Sequence, residues 1–239
     1  MKLAIFDIDG TLTNTNSVDE DCFVKAFAEA HSIDDIATDW AAYPHTTDSG
    51  ITQHIFEEKF GRGPEETELS KLTNCFVGML SEHYQIDSTS FAEVPGAAAA
   101  LKALKQDSEW AVAIATGCWR ESALLKLRAA NIDAEGIPAA YAEDGLSRED
   151  ILKAAVSQSL VQHGVSSFER IVSIGDGQWD VRAAGRLDFA FVGIGAGEAA
   201  TRLRQAGASH VMADFSDYDQ LLNFLMEAQI PTLDYFNAA

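Results

Sequence analysis

The sequence predicts an α/β protein, an open parallel sheet covered by helices, with an all-helical segment inserted after the first strand. Three observations predict it. Short apolar runs at Leu3 to Phe6, Trp110 to Ala115, Ile171 to Ile174 and Phe189 to Ile194 end in acids, Gly or Thr, as buried strands meeting turns do. Helical stripes separate these runs after residue 94, and strands alternating with helices imply βαβ units and a sheet covered on both faces. From Val18 to Tyr84 the apolar period is helical throughout, with no strand-like run.

Each element has its own signal. Val18, Cys22, Ala26 and Ala30 recur every four residues, flanked by Phe23 and Phe27. Ile51, Ile55, Phe56 and Phe60 form a second stripe, and Leu69, Leu72, Phe76, Leu80 and Tyr84 a third. The block is expected to hold about four helices. Beyond Val94-Pro95-Gly96, residues Ala97, Ala100, Leu101 and Leu104 mark a helix, and Leu124 and Leu127 another. Ala139 to Ala142 suits a short strand. Ser147 to Leu160 reads as a helix with Ser147 as N-cap and Asp150 as its capping-box partner. Val211-Met212 suits a last short strand, and Asn237 to Ala239 a frayed end. The expected division is a core of residues 1–15 and 95–239 with a helical insertion of residues 16–94.

The chain has 239 residues, 47% hydrophobic and 23% charged, enough to bury a core without disulfide or metal staples. With 17 Lys+Arg against 37 Asp+Glu its formal net charge is -20, which disfavours nucleic acid and anionic lipid as partners. Cys22, Cys75 and Cys118 are odd in number and far apart, so they read as buried or idle thiols of a reducing compartment. The apolar run at the N-terminus is too short for a signal peptide, and no stretch approaches a membrane span. A soluble cytoplasmic protein is expected; oligomeric state is left open.

Three polar clusters sit where predicted strands end: Asp7-Ile8-Asp9-Gly10-Thr11, Thr116-Gly117, and Gly175-Asp176-Gly177-Gln178-Trp179-Asp180. Ligands of open parallel sheets bind beyond the carboxyl ends of the strands. Asp7 and Asp9 are two apart, so a continued strand would point them the same way. With Asp176 they make an oxygen-rich, sulfur-free set suited to Mg²⁺. Acids and glycines are also ordinary turn formers; three such clusters at separate strand ends favour a site.

These residues resemble the motifs of the haloacid-dehalogenase superfamily. Asp7-Ile8-Asp9-Gly10-Thr11-Leu12 is similar to its first motif, Ala113-Ile114-Ala115-Thr116-Gly117 to its second, and Gly175-Asp176 through Asp180 to its fourth. The resemblance implies a Rossmann-like core with the helical block as cap. It implies a Mg²⁺-dependent phosphatase for a small phosphorylated metabolite, working through an aspartyl-phosphate. Asp7 would be the nucleophile and Asp9 the general acid and then base. Asp7, the backbone carbonyl of Asp9, and Asp176 would hold the metal, with Asp180 supporting them from behind. Gly10, Thr116 and Gly117 would bind phosphate. The family's basic third motif, usually Lys, has no Lys counterpart here, because none occurs between Lys126 and Lys153. Arg148 is the candidate for that catalytic and phosphate-binding role, with Lys153 as rival.

Other features are ambiguous. His45, Thr46 and Thr47 lie in a polar cap loop that would read the substrate, although Thr47 or Asp48 equally suits a helix N-cap. Trp119 and Arg120 are near the cleft, with packing and surface roles favoured. Gly193-Ile194-Gly195-Ala196-Gly197 lacks the third glycine of a dinucleotide fingerprint and reads as a turn close to the cleft. Two alternatives to the phosphatase are carried: a phosphomutase of the same family, and a non-catalytic phosphoryl-binding module.

Overall fold

The computed structural model describes residues 1–232. Among them lie six strands in one parallel sheet: β1 (Lys2–Phe6), β2 (Trp110–Ala115), β3 (Ala139–Ala140), β4 (Ile171–Gly175), β5 (Ala190–Ile194) and β6 (His210–Met212), in the order β3-β2-β1-β4-β5-β6. Every strand read from the sequence is present. The third is shorter than expected, because Tyr141 and Asp144 turn the chain there: the Tyr141 N–H donates to the Asp144 carboxylate at 2.8 Å.

Both faces of the sheet are apolar, which is why the strands read as continuous runs rather than alternating ones. Ala4, Phe6, Val112, Ile114, Val172 and Ile174 pack on one face beneath α4 (Ala97–Lys105), α5 (Arg120–Ala129) and α9 (Tyr218–Glu227). Leu3, Ile5, Ala111 and Ala113 pack on the other beneath α6 (Arg148–His163) and α7 (Gln178–Arg186). The helix α8 (Gly197–Gln205) closes the β6 edge through Leu203. α6 starts with the expected N-cap, Ser147 Oγ accepting from the Asp150 N–H at 3.1 Å, but the expected capping box is not completed: the Asp150 carboxylate accepts from the Ser147 hydroxyl at 2.7 Å.

Between β1 and α4 the chain forms α1 (Asn16–His31), α2 (Asp48–Phe60) and α3 (Glu66–Ile86). The expected fourth helix is absent; short 3-10 turns occur at Trp40–Ala42 and Ser88–Phe91. α1 stops at Ser32, whose φ of 56° is left-handed, and in the stretch after it Ile33, Ile36, Trp40 and Tyr43 pack against the core of the helical block without forming an α-helix. The helices share a core of Phe23, Phe27, Phe56, Phe76 and Leu80, completed by Trp119 from the loop after β2. Phe23, Phe76 and Trp119 pack ring to ring, with centroids 5.6–6.0 Å apart. The expected fraying of Asn237 to Ala239 concerns residues outside those described. No described helix is long and apolar enough to cross a membrane.

Candidate active site

The register sets the site. Phe6 pairs with Ile114 on one side and Ile174 on the other, so the chain leaves β1, β2 and β4 at one level. Strand order reverses across β1, which opens a crevice at these carboxyl ends. A cavity of about 220 Å³ lies there, lined by Asp9, Asp176, Gly117 and Arg148 of the sheet side and by Thr46 and Phe23 of the helical block.

The strand geometry does not continue past Phe6, so Asp7 and Asp9 do not act as a pair. The chain folds over at Ile8, whose carbonyl accepts from the N–H groups of Thr11, Leu12 and Thr13. The two carboxylates enter different groups. Oxygens of Asp7, Asp176 and Asp180 lie within 4.8 Å of one another. The Asp9 carboxylate instead accepts from Lys126 Nζ at 2.8 Å, Cys118 Sγ at 2.7 Å and the Thr15 hydroxyl. Asp180, expected behind Asp176, contributes to the Asp7 group directly.

Arg148 stands at the first turn of α6. Its Nη1 is 3.1 Å from Asp7 Oδ1 and 3.2 Å from Asp180 Oδ1, and its Nε donates to the Thr46 carbonyl at 2.9 Å. Lys153 faces away: it is 59% exposed and pairs with Asp150 at 3.3 Å. One guanidinium therefore bonds two of the three carboxylates, Asp7 and Asp180, but not Asp176. Burial raises Asp7, outweighing Arg148. Burial, with repulsion from Asp180 and Asp7, raises Asp176 well above the usual carboxylate range, and burial raises Asp180 to about 7. Three hard oxygen donors short of positive charge fit a small divalent cation. Asp9 is the exception. Burial raises it too, but the Lys126 charge and the bonds from Cys118, Lys126 and Thr15 bring it below its ordinary value.

Two glycines make this packing possible. Gly10 has φ of 70°, and a side-chain carbon there would overlap the Asp176 carboxylate and Asn16. A side-chain carbon at Gly117 would lie 2.9 Å from the Arg148 guanidinium. The Gly10 N–H is committed to the Thr13 carbonyl at 2.7 Å. The expected phosphate contact from Gly10 is thus replaced by a steric role.

The remaining expectations divide. Thr116 is buried, and its Oγ1 accepts from the Cys118 N–H at 3.3 Å. Thr47 is the N-cap of α2: its Oγ1 accepts from the Gly50 N–H at 2.9 Å and donates to the Leu146 carbonyl at 2.8 Å. Its hydroxyl is therefore occupied, while Thr46 reaches Arg148 through its backbone. His45 is exposed and outside the cavity lining. Trp119 packs and Arg120 is on the surface, as favoured. The Gly193–Gly197 turn does not line the cavity.

Several residues escaped sequence reasoning. Cys118, read as idle, touches Asp9. Asn16 donates to Asp176 Oδ2 at 2.8 Å. Lys126 is wholly buried between Asp9 and Asp19. One signal for Lys126 existed: it sits four residues after Ser122 and beside Leu127, within the stripe that α5 buries.

A family model described as haloacid dehalogenase-like hydrolase matches residues 1–188. No curated protein matches. Among solved structures, a hydrolase from Pseudomonas syringae is 24% identical and covers 95% of this chain and 99% of its own, with a TM-score of 0.70. A protein from Haemophilus somnus, described as a predicted phosphoglycolate phosphatase, is 18% identical with coverages of 93% and 98% and a TM-score of 0.63. A phosphonoacetaldehyde hydrolase-like protein from Oleispira antarctica is 16% identical with coverages of 94% and 92% and a TM-score of 0.64. At these identities the likeness concerns the fold.

Proposed function

The chain belongs to the haloacid dehalogenase-like hydrolases, and from that premise we propose that it is a phosphatase that hydrolyses a small phosphorylated metabolite. The observation that carries the reading is the separation of the carboxylates. Asp7, Asp176 and Asp180 form one group with Arg148, while Asp9 is held apart on the cavity wall by Lys126, Cys118 and Thr15.

Asp7, Asp176 and Asp180 are the side chains that would hold Mg²⁺, which supplies charge neutralisation between an anionic nucleophile and an anionic ester. Asp7 attacks phosphorus and the ester P–O bond breaks, leaving an aspartyl-phosphate. Asp9, which the free site holds below the ordinary carboxylate value, takes up a proton together with the incoming phosphate dianion and gives it to the leaving oxygen. It then takes a proton from the water that hydrolyses the intermediate. Arg148, already against Asp7, draws in the phosphate oxygens and stabilises their charge. The helical block acts as the cap: it supplies Thr46 and Phe23 to the cavity and so restricts access to small molecules.

Turnover of 4-nitrophenyl phosphate with and without Mg²⁺, followed by a panel of phosphorylated metabolites, tests the reading. Inactivity throughout would favour a binding module, and an isomeric sugar phosphate as product would favour a mutase.

Two further outcomes are expected. Asp9→Asn should slow kcat by about 10²–10⁴-fold, the usual worth of acid–base help, with the larger losses for poor leaving groups. An unchanged rate with every ester would remove Asp9 from the chemistry. The second concerns pH. Carboxyls raised in the folded state bind protons more tightly than in the unfolded chain, so cation-free stability falls as pH rises from the ordinary carboxylate value of about 4 through the Asp180 value of about 7. A cation binds the ionised carboxylates and relieves their repulsion. Mg²⁺ should therefore raise Tm more at pH 8 than at pH 5; an equal rise at both would contradict this charge assignment.

A further inference from the structure

We propose that Lys126 is a positioning residue for Asp9, a role that rests on the phosphatase reading above. Its side chain is 0% exposed, on the stripe of α5 that also buries Ala123 and Leu127. Burying an ammonium costs several kcal/mol unless it is well paired, and an apolar residue there would continue the stripe without that cost. Lys126 is well paired. Nζ is 2.8 Å from Asp9 Oδ2 and 3.2 Å from Cys118 Sγ, and it contacts Asp19 of α1. None of these contacts involves Asp7, Asp176, Asp180 or Arg148, so Lys126 is not part of the group that would hold cation and phosphate.

What Lys126 does is immobilise the Asp9 carboxylate. It holds Oδ2, and the Thr15 hydroxyl holds Oδ1. Asp19 anchors Lys126 from the first turn of α1, so the acid–base group is braced by the catalytic loop, α5 and the helical block together. A carboxylate beside a divalent cation is drawn to it. Held in this way, Asp9 stays out of the Asp7 group and on the cavity wall, where the leaving oxygen must lie. Lys126 keeps its own proton through both steps; the transferred proton passes from Asp9 to the leaving oxygen, and then from water to Asp9. Misplacing a reacting group by about 1 Å can cost on the order of 10²-fold. In the phosphoryl-transfer step that cost should fall only on esters that need the proton, whereas the water step that follows is the same for every ester.

The test uses 4-nitrophenyl, phenyl and benzyl phosphate, which share a shape and differ in how much the leaving oxygen needs protonation. Lys126→Met keeps length and removes the charge. Its kcat/KM for benzyl phosphate, which reports the steps up to departure of the alcohol, should fall by about 10²-fold or more. For 4-nitrophenyl phosphate the loss of kcat/KM should stay below about tenfold, and any loss of kcat from the water step is common to the three. A uniform loss of kcat/KM across the three esters would mean a merely structural charge and would overturn the proposal, as would no loss at all. Should Lys126→Met unfold in a thermal melt, Lys126→Met with Asp19→Asn removes one charge of each sign and is measured in the same way, with the same split expected. Wild type inactive on all three esters would overturn the phosphatase reading and this proposal with it. An active wild type whose variants lose kcat/KM uniformly overturns only the role of Lys126.

Discussion

Asp7→Asn is expected to abolish turnover and leave the protein folded. The change is nearly isosteric, but an amide oxygen is a poor nucleophile toward phosphorus. Removing a covalent nucleophile costs on the order of 10⁶-fold in well-studied enzymes, so the residual rate should lie near the assay background. Stability should hold or rise. Burial and the neighbouring Asp9 charge both work against an ionised Asp7, and an amide carries no charge to repel. The Asn oxygen can still accept from Arg148, which also keeps Asp180 at 3.2 Å. Purified Asp7→Asn with a wild-type melting curve and a wild-type rate would remove Asp7 from the nucleophile's role.

Arg148→Ala comes next in size. The guanidinium touches Asp7, Asp180 and the Thr46 carbonyl, so its loss removes the side-chain charge nearest the phosphate and leaves carboxylates unpaired. Loss of one preorganised donor to transition-state charge costs about 10²–10³-fold in kcat. Leaving a buried partner unpaired costs about 3–5 kcal/mol of stability when no cation compensates, so the melt should be run with Mg²⁺ present. Lys153→Ala should be close to wild type, because an exposed pair such as Lys153–Asp150 contributes only about 0–1 kcal/mol. Arg148→Lys should recover part of the rate: it keeps the charge but loses the fork that bonds Thr46 through Nε and Asp7 through Nη1. A reversed order, Lys153→Ala inactive and Arg148→Ala near normal, would hand the basic role to Lys153.

The sheet was legible because strands buried on both faces leave long apolar runs, and because polar residues at their ends must do something other than pack. The same logic pointed to Asp7, Asp176 and Asp180, whose carboxylates lie within 4.8 Å of one another; Arg148 was reached only through the family resemblance. It misjudged Asp9, whose side chain was read along an extended strand when the turn at Ile8 sends it elsewhere. It took Gly10 for a phosphate contact, since nothing local reveals that its N–H is spent on Thr13 while its missing side chain makes room for Asp176. Lys126, Asp19, Thr15 and Asn16 stayed hidden for another reason. Lys126, Asp19 and Thr15 gather around Asp9, and Asn16 reaches Asp176, only once the start of α1 is placed against α5 and the loops after β1 and β4, and a lysine among leucines reads as a surface residue until the helix is placed. Thr47 could go either way on local pattern; the α2 cap and the Leu146 carbonyl claim its hydroxyl.

Passage of the phosphoryl group through Asp7 is read by acid-quenching Asp9→Asn during turnover of 4-nitrophenyl phosphate, reducing with borohydride and mapping the peptides by mass. Borohydride converts an acyl phosphate to an alcohol. Homoserine is expected at position 7 and nowhere else, at a level that grows with enzyme occupancy by the intermediate. An unmodified Asp7 peptide from enzyme caught in turnover, or homoserine at position 176 or 180 instead, would contradict passage through Asp7.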